Sequence, residues 1–130
     1  MQTRYDAIVI GTGQSGPSLA VELSNAGRSV AVIERDRFGG TCVNTGCTQT
    51  KALVASVLAA HVARRSAEYG VVIGGQVNVD MKAVKARKDA IVLRSNTGVE
   101  GWLKRTDNLT VYEGHGRFEG LTPCGLGRVS

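Results

Sequence analysis

The chain has 130 residues, of which 42% are apolar, and its formal net charge at neutral pH is +5. This length fits a single domain with a buried core, and the apolar fraction excludes a disordered chain. Because only 5% of the residues are aromatic and no recognition motif is present, we expect no nucleic-acid partner. We interpret the densest basic stretch as the solvated face of a helix, formed by Lys82, Lys85, Arg87 and Lys88.

The beginning of the chain predicts a strand, a turn, a helix and a second strand. The run "YDAIVI" is short, apolar and β-branched and ends at a glycine, which is typical of a buried parallel strand. After "GTGQSG", the segment "PSLAVELSNAG" places Leu19, Leu23 and Ala26 at helical spacing before the stop signal of Gly27. "SVAVIE" is the second buried strand. This order is typical of the first half of a doubly wound α/β fold.

The early apolar run "AIVI" is far too short for a secretory signal or a membrane span. We therefore expect a cytoplasmic, soluble protein with no membrane partner. Thiols are normally kept reduced in the cytoplasm. A close pair of cysteines is there more often catalytic or metal-binding than a structural disulfide.

The rest of the chain predicts two helices and several short strands. A loop, "RDRFGG", leads to a helical pattern over about residues 48–67, and a second helical pattern covers about residues 80–105. Between them, "VVIGGQVNV" fits a short strand or a loop, and "LTVYEGHGRFEG" later fits two short strands separated by a glycine-rich turn. We place one domain at residues 1–119. Residues 120–130 form an atypical tail, because their apolar residues follow neither the helical nor the strand period.

Three glycines follow the first predicted strand in the pattern G-x-G-x-x-G. Gly11 allows the chain to turn, Gly13 lets a pyrophosphate approach the backbone, and Gly16 allows the helix to pack closely on the sheet. The N-terminus of that helix attracts phosphate. Glu34, at the end of the second strand, can accept hydrogen bonds from a ribose diol. The pattern predicts dinucleotide binding, without distinguishing FAD from NAD.

Cys42 and Cys47 enclose "VNTG" immediately before a predicted helix. Five residues of regular helix advance about 7.5 Å, and a disulfide needs Cα atoms within about 7 Å, so a bond requires a loop-like backbone, which Gly46 favours. A helix N-terminus favours the thiolate of Cys47, and Lys51 would support an anion there. We favour a redox disulfide. Two other interpretations of the pair remain: inert buried thiols, and a zinc site. The further zinc ligands would come from the scattered candidates Cys124, His61 and His115.

Together these motifs resemble the N-terminal part of the class I pyridine nucleotide-disulfide oxidoreductases, which include dihydrolipoamide dehydrogenase, glutathione reductase and mercuric reductase. "YDAIVIGTGQSG", "VAVIE" and "GGTCVNTGC" occur in the family's order and spacing, and "VYEGHGRFEG" is similar to its later adenine-side segment. The resemblance covers about residues 4–120. It implies a partial Rossmann-like FAD-binding domain, with a parallel sheet flanked by helices, and a role in cell redox homeostasis.

The resemblance also implies a role for individual residues. FAD would lie along the glycine loop, held from its pyrophosphate to its adenosine by Gly11, Gly13, Gly16, Gly40, Thr41, Glu34 and the backbone of Gly116. Cys47 would face the flavin in a charge-transfer complex, Cys42 would exchange with the substrate, and Lys51 would lie beside the isoalloxazine ring. Electrons would pass from NAD(P)H through FAD to this disulfide, and then to a small-molecule disulfide or a metal ion. The family implies a homodimer.

Two departures from the family pattern bear on these expectations. Gln49 stands where the family usually has proline, which weakens a helix start but removes no chemical group. Family members run to several hundred residues and add a second Rossmann domain for NAD(P)H and an interface domain. We therefore interpret the chain as a truncated fragment, with a frameshift as the origin of the tail, and expect no efficient turnover from it alone. A non-catalytic module that binds FAD or NAD is the alternative.

Overall fold

The computed structural model describes residues 4–118. A parallel three-stranded sheet forms the centre of the fold, with the strands in the spatial order β1 (Ala7–Ile10), β2 (Val30–Glu34) and β3 (Leu109–Glu113). Its helices are α1 (Gly16–Asn25), α2 (Gly40–Asn44), α3 (Cys47–Arg64) and α4 (Met81–Lys104), and a 3₁₀ turn, Ser66–Tyr69, follows α3. The predicted partial Rossmann-like α/β fold, with a parallel sheet and flanking helices, is confirmed.

The central strand β2 is buried along its whole length because it pairs with a strand on each side. Val32 lies opposite Val9 of β1 and opposite Val111 of β3, and all three point to the same face of the sheet. This continuous burial explains why β2 is entirely apolar until Glu34. The strand therefore delivers Glu34 to the carboxyl edge of the sheet, where ligands of such folds bind.

One face of the sheet packs against α1 and α4 and forms the hydrophobic core. The buried members of this core are Ala20, Val21, Val30, Val32, Phe38 and Leu103. The short helix α2 and the long helix α3 contact α4 rather than the strands. Among residues 4–118, α1 and α4 are the helices that contact the strands. Ile10, at the end of β1, remains 44% exposed, whereas Ile33 beside it on β2 is buried.

The helix predicted over about residues 80–105 is confirmed as α4, whereas the segments before it differ from their predictions. The second helix begins at Met81 because the Asp80 side chain caps it, accepting hydrogen bonds from the backbone N–H groups of Lys82 and Ala83 at 2.9 and 3.1 Å. The segment "VVIGGQVNV" is a loop. Of the two short strands predicted in "LTVYEGHGRFEG", the first is β3, and the second lies partly outside the described residues. The helix α2 was not predicted, because a loop was expected to lead into the cysteine segment.

The basic stretch on α4 is only partly a solvated face. The Arg87 guanidinium donates a hydrogen bond of 2.9 Å to the carbonyl oxygen of Ala52 and so ties α4 to α3. The Lys88 side chain is only 16% exposed and forms an ion pair with Asp89. Lys85, at 73% exposure, does extend into solvent as expected. Arg87 is nevertheless exposed, so among these four residues the interpretation is wrong only for Lys88. The contact of Arg87 with α3 could not be read from the period of α4 alone.

No helix within residues 4–118 combines the length and the hydropathy that a membrane crossing would require. The predicted domain boundary after residue 119 and the predicted tail lie outside the described residues.

Candidate dinucleotide and dithiol site

The glycine loop between β1 and α1 has the geometry that the motif requires. Gly11 has a φ of +93°, a conformation that favours glycine, and its N–H donates to the carbonyl oxygen of Ile33 at 2.7 Å. A Cβ atom on Gly16 would overlap the carbonyl oxygen of Gly11, so this glycine allows α1 to start against the loop. No heavy atom lies within 4 Å of the Cβ position of Gly13. The loop thus leaves an open approach to its backbone at Gly13.

Glu34 is almost fully buried at the end of β2, and its carboxylate accepts hydrogen bonds at both oxygens. Oε2 accepts from the backbone N–H of Thr12 at 2.9 Å and from the Thr12 hydroxyl at 2.5 Å, and Oε1 accepts from the N–H of Asp36 at 3.0 Å. Burial by itself raises the pKa of Glu34, but these hydrogen bonds outweigh it and hold the pKa below its usual value. Glu34 is therefore an ionised acceptor at neutral pH.

The hydrogen bonds of Glu34 should make stability depend on pH. In Glu34→Gln, Thr12 loses a charged acceptor, and we expect the free energy of unfolding at neutral pH to fall by about 1–3 kcal/mol. A lowered folded-state pKa gives stability that is present above the unfolded-state pKa and lost as the pH falls through the folded-state pKa. The difference between the two chains should therefore shrink in acid.

Urea unfolding of the wild-type chain and of Glu34→Gln, at neutral and at acid pH, measures this difference. Glu22→Gln is the matched control, because Glu22 is exposed on α1 and should show little change at either pH. A difference for Glu34→Gln that stays constant or grows on acidification would contradict the assignment.

A cavity of about 160 Å³ lies at the carboxyl ends of the strands and brings three predicted residues together. Gly11, Glu34 and Gly116 all line it. A Cβ atom on Gly116 would lie 3.1 Å from Cδ1 of Ile33, so glycine at this position keeps the chain close to the sheet. His115 also lines the cavity.

The segment that carries the thiols begins in direct contact with the glycine loop. Gly40, the first residue of α2, has a φ of +59°, and a Cβ atom there would lie 2.9 Å from the Cα of Gly13. The N–H of Gly39 donates to the hydroxyl of Thr12 at 3.0 Å. The two motifs recognised separately in the sequence are therefore one continuous site.

The two thiols lie on either side of a break between two helices. Cys42 is half-buried on α2, Cys47 is the exposed first residue of α3, and both thiols are free. The backbone leaves the helical conformation at Thr45 and Gly46, as a bond between these cysteines would require. A hydrogen bond with the Cys47 side chain, and then burial, raise the pKa of Cys42, whereas the charge of Lys51 opposes this rise. The sulfurs are thus close enough to interact.

Thr41 and Lys51 are exposed on α2 and α3, respectively. The effect of Lys51 on Cys42 is electrostatic, which places its charge near the thiol pair. The structure thus brings Gly40, Thr41 and Lys51 into the neighbourhood of the thiols.

An amide pair that the sequence did not reveal holds the turn before α2. The Asn44 amide donates to the carbonyl oxygens of Phe38 and Gly40, both at 2.9 Å. The Asn96 amide, from α4, donates to the same Phe38 oxygen at 2.8 Å and to the Asn44 side-chain oxygen at 3.0 Å. These bonds fix the turn that presents Cys42, and they satisfy carbonyl groups that would otherwise be buried without partners.

Gln49 forms a side-chain hydrogen bond that was not expected from the sequence. Its side-chain amide donates a hydrogen bond to the carbonyl oxygen of Asn44. This contact spans the break between α2 and α3, so Gln49 adds a hydrogen-bonding group between the cysteines that a proline would lack.

Within residues 4–118, no group of three or more histidine, cysteine, aspartate or glutamate side chains is arranged to hold a metal ion. Cys124, one of the candidates for a zinc site, lies outside these residues.

The fold and the site define a Rossmann-like dinucleotide-binding domain that carries a dithiol. The family model for pyridine nucleotide-disulphide oxidoreductases matches residues 5–123. The chain belongs to this family.

The chain is similar to several dihydrolipoyl dehydrogenases. It is 37% identical to the enzyme of Rhizobium etli over 118 residues, which cover 91% of this chain and 24% of that protein. It is 35% identical to the enzyme of Bacillus subtilis, with 92% of this chain and 25% of that protein covered. The chain thus spans about a quarter of the length of these relatives.

Solved structures agree with this assignment. The copper(II) complex of the HOCl-induced flavoprotein disulfide reductase RclA from Escherichia coli superposes with a TM-score of 0.69 at 31% identity, covering 90% of this chain and 23% of that one. A second structure of the same reductase gives a TM-score of 0.67 at 32% identity over 88% of this chain and 22% of that one.

Proposed function

We propose that the chain is the FAD-binding part of a flavoprotein disulfide oxidoreductase whose redox centre is Cys42 and Cys47. In this function, electrons from NAD(P)H reach the Cys42–Cys47 disulfide and pass on to a small-molecule disulfide or a metal ion. The contact of Gly40 with the Cα of Gly13 carries the proposal, because it joins the nucleotide loop to the thiol segment. Because the chain spans a quarter of its relatives' length, the donor, the acceptor and a homodimeric assembly belong to the proposal as well.

The residues of the site fit FAD at its dinucleotide end. The approach to Gly13 is open, and the N-terminus of α1 follows it, so a pyrophosphate would meet free backbone N–H groups there. The cavity lined by Gly11, Glu34 and Gly116 suits the adenosine, with Glu34 as acceptor for the ribose. Thr41 and Lys51 would lie along the remainder of the cofactor. When bound, FAD supplies the two-electron chemistry that connects a hydride donor to thiols.

The thiol pair can carry out exchange with a substrate disulfide. The Cys42 thiolate attacks one substrate sulfur, the substrate S–S bond breaks, and the second substrate sulfur leaves as a thiolate. The Cys47 thiolate then attacks Cys42 in the mixed disulfide and displaces the first substrate sulfur. The chain ends with a Cys42–Cys47 disulfide and the substrate with two thiols, so that two electrons have moved. Contact with Cys47 holds the pKa of Cys42 above its usual value, and the positive charge of Lys51 offsets part of this rise.

The visible absorption spectrum of the purified chain tests this function. We expect a flavin band that gains a long-wavelength shoulder after reduction with a dithiol, and we expect Cys47→Ser to lose the shoulder. A yellow protein without the shoulder and without NAD(P)H oxidation would favour a non-catalytic dinucleotide-binding module. A chain that binds neither FAD nor ADP would contradict the proposal.

A further inference from the structure

We infer that Thr12 is a positioning residue that sets the Glu34 carboxylate for ribose recognition and locks the thiol segment to the glycine loop. This inference rests on the proposed nucleotide binding and deepens it. Thr12 occupies a position of the glycine motif at which the pattern specifies no residue type. Its role therefore comes from its contacts in the structure rather than from the motif.

The Thr12 hydroxyl is completely buried, and it both donates and accepts a hydrogen bond. Its single hydrogen is donated to Oε2 of Glu34 at 2.5 Å, and its oxygen accepts the N–H of Gly39 at 3.0 Å. The backbone N–H of Thr12 donates to the same Oε2 at 2.9 Å. One side chain thus connects the nucleotide loop, the acidic end of β2 and the glycine turn before Cys42.

The two carboxylate oxygens of Glu34 accept hydrogen bonds from different residues. Oε2 receives two hydrogen bonds from Thr12, whereas Oε1 receives the N–H of Asp36. A carboxylate offers about four acceptor sites, and these hydrogen bonds occupy two on Oε2 and one on Oε1, so one site on Oε1 remains for a ligand in the cavity that Glu34 lines. Because Thr12 fixes Oε2, the plane of the carboxylate is set before a ribose arrives. A ribose hydroxyl then meets the free site of Oε1 in a fixed orientation, so that less freedom is lost on binding.

Removal of the Thr12 hydroxyl should therefore lower the affinity for ADP. It should also lower the preference for a nucleotide that has ribose hydroxyls over one that lacks them. Thr12→Val keeps the branched shape but removes the bond to Glu34 and leaves the N–H of Gly39 without its acceptor. Thr12→Ser keeps the hydroxyl and should therefore keep the wild-type affinity for ADP and the wild-type preference for the ribose hydroxyls. Thr97→Val is the matched control, because Thr97 is exposed on α4.

The test measures the dissociation constants of ADP and of 2′,3′-dideoxy-ADP by titration calorimetry for the four chains. We expect the wild type, Thr12→Ser and Thr97→Val to prefer ADP by about tenfold or more, the value of a hydrogen bond to a charged group. We expect Thr12→Val to bind ADP more weakly and to lose most of that preference. If Thr12→Val does not fold, Thr12→Ala is judged by the same ratio.

The outcomes separate the inference from the proposed function. If the wild type prefers ADP and Thr12→Val keeps an unchanged preference, the inference is overturned and the proposed function stands. The same holds if Thr12→Val weakens both ligands equally, since that is the result of a purely structural role. If the wild type binds neither ligand, the proposed function is overturned and the inference with it.

Discussion

Replacement of either Cys42 or Cys47 by serine is expected to abolish the intramolecular disulfide completely. When both cysteines are present, oxidation with glutathione disulfide should join the two sulfurs, because their side chains already interact across the break at Thr45 and Gly46. In either single variant, the remaining thiol should instead hold glutathione as a mixed disulfide. Intact-mass measurement and peptide mapping distinguish the two products.

The third cysteine requires a matched background for this experiment. Cys124 lies outside the described residues, so all measurements are made in Cys124→Ser, which should keep the disulfide between Cys42 and Cys47. A Cys124→Ser chain that keeps both thiols free under these conditions would favour the inert-thiol interpretation. The zinc alternative is tested in the chain that keeps Cys124, where zinc bound in stoichiometric amount, and lost when Cys42 or Cys47 is replaced by serine, would favour a metal site.

The first half of the fold could be predicted because its signals are local. A β-branched run that ends at Gly11, and a proline at the start of α1, act within a few residues of their own positions. The acidic residue Glu34 could be placed because β2 follows α1 after a short turn. Both cysteines could be singled out by their spacing and flanking glycines, and the structure places Gly40, two residues before Cys42, against Gly13 of the glycine loop.

The parts that were missed depend on contacts between distant positions. Asn96 reaches Phe38 across 58 positions, and Thr12 reaches Glu34 across 22 positions, and neither pair has a sequence period. The helix α2 has five residues and starts at a glycine with positive φ, so it has too few turns for an apolar stripe. Helix α3 was predicted from composition, but composition did not reveal which of its faces would be buried.

Many apolar residues of α3 are exposed instead of packed on the sheet. The exposed apolar side chains of α3 are Leu53, Val54, Val57, Leu58 and Val62. Apolar residues at helical spacing normally mark a face that packs on a core. Within residues 4–118 the core instead forms between the sheet and the helices α1 and α4. The site depends on this smaller core, since α1 carries the glycine loop and α4 carries Asn96.

Leu103→Ala is expected to lower the free energy of unfolding by about 2–5 kcal/mol, the range for truncation of a buried leucine. Leu103 is fully buried near the end of α4, in the core cluster with Val30, Val32 and Phe38. A loss of this size is a large fraction of the roughly 5–15 kcal/mol that stabilises a typical domain. Urea unfolding, followed by circular dichroism, measures the change. Leu93→Ala is the matched control on the same helix, because Leu93 is 64% exposed.

The same pair of variants separates stability from nucleotide recognition. The hydrophobic residues clustered with Leu103 include none of residues 11–16, so we expect the folded Leu103→Ala chain to keep the wild-type ratio of ADP to dideoxy-ADP affinity. Saturating ADP should recover part of its lost stability by binding only the folded state. Equal losses for Leu103→Ala and Leu93→Ala would contradict the position of the core. A changed affinity ratio in Leu103→Ala would mean that the core, rather than Thr12, sets the Glu34 carboxylate.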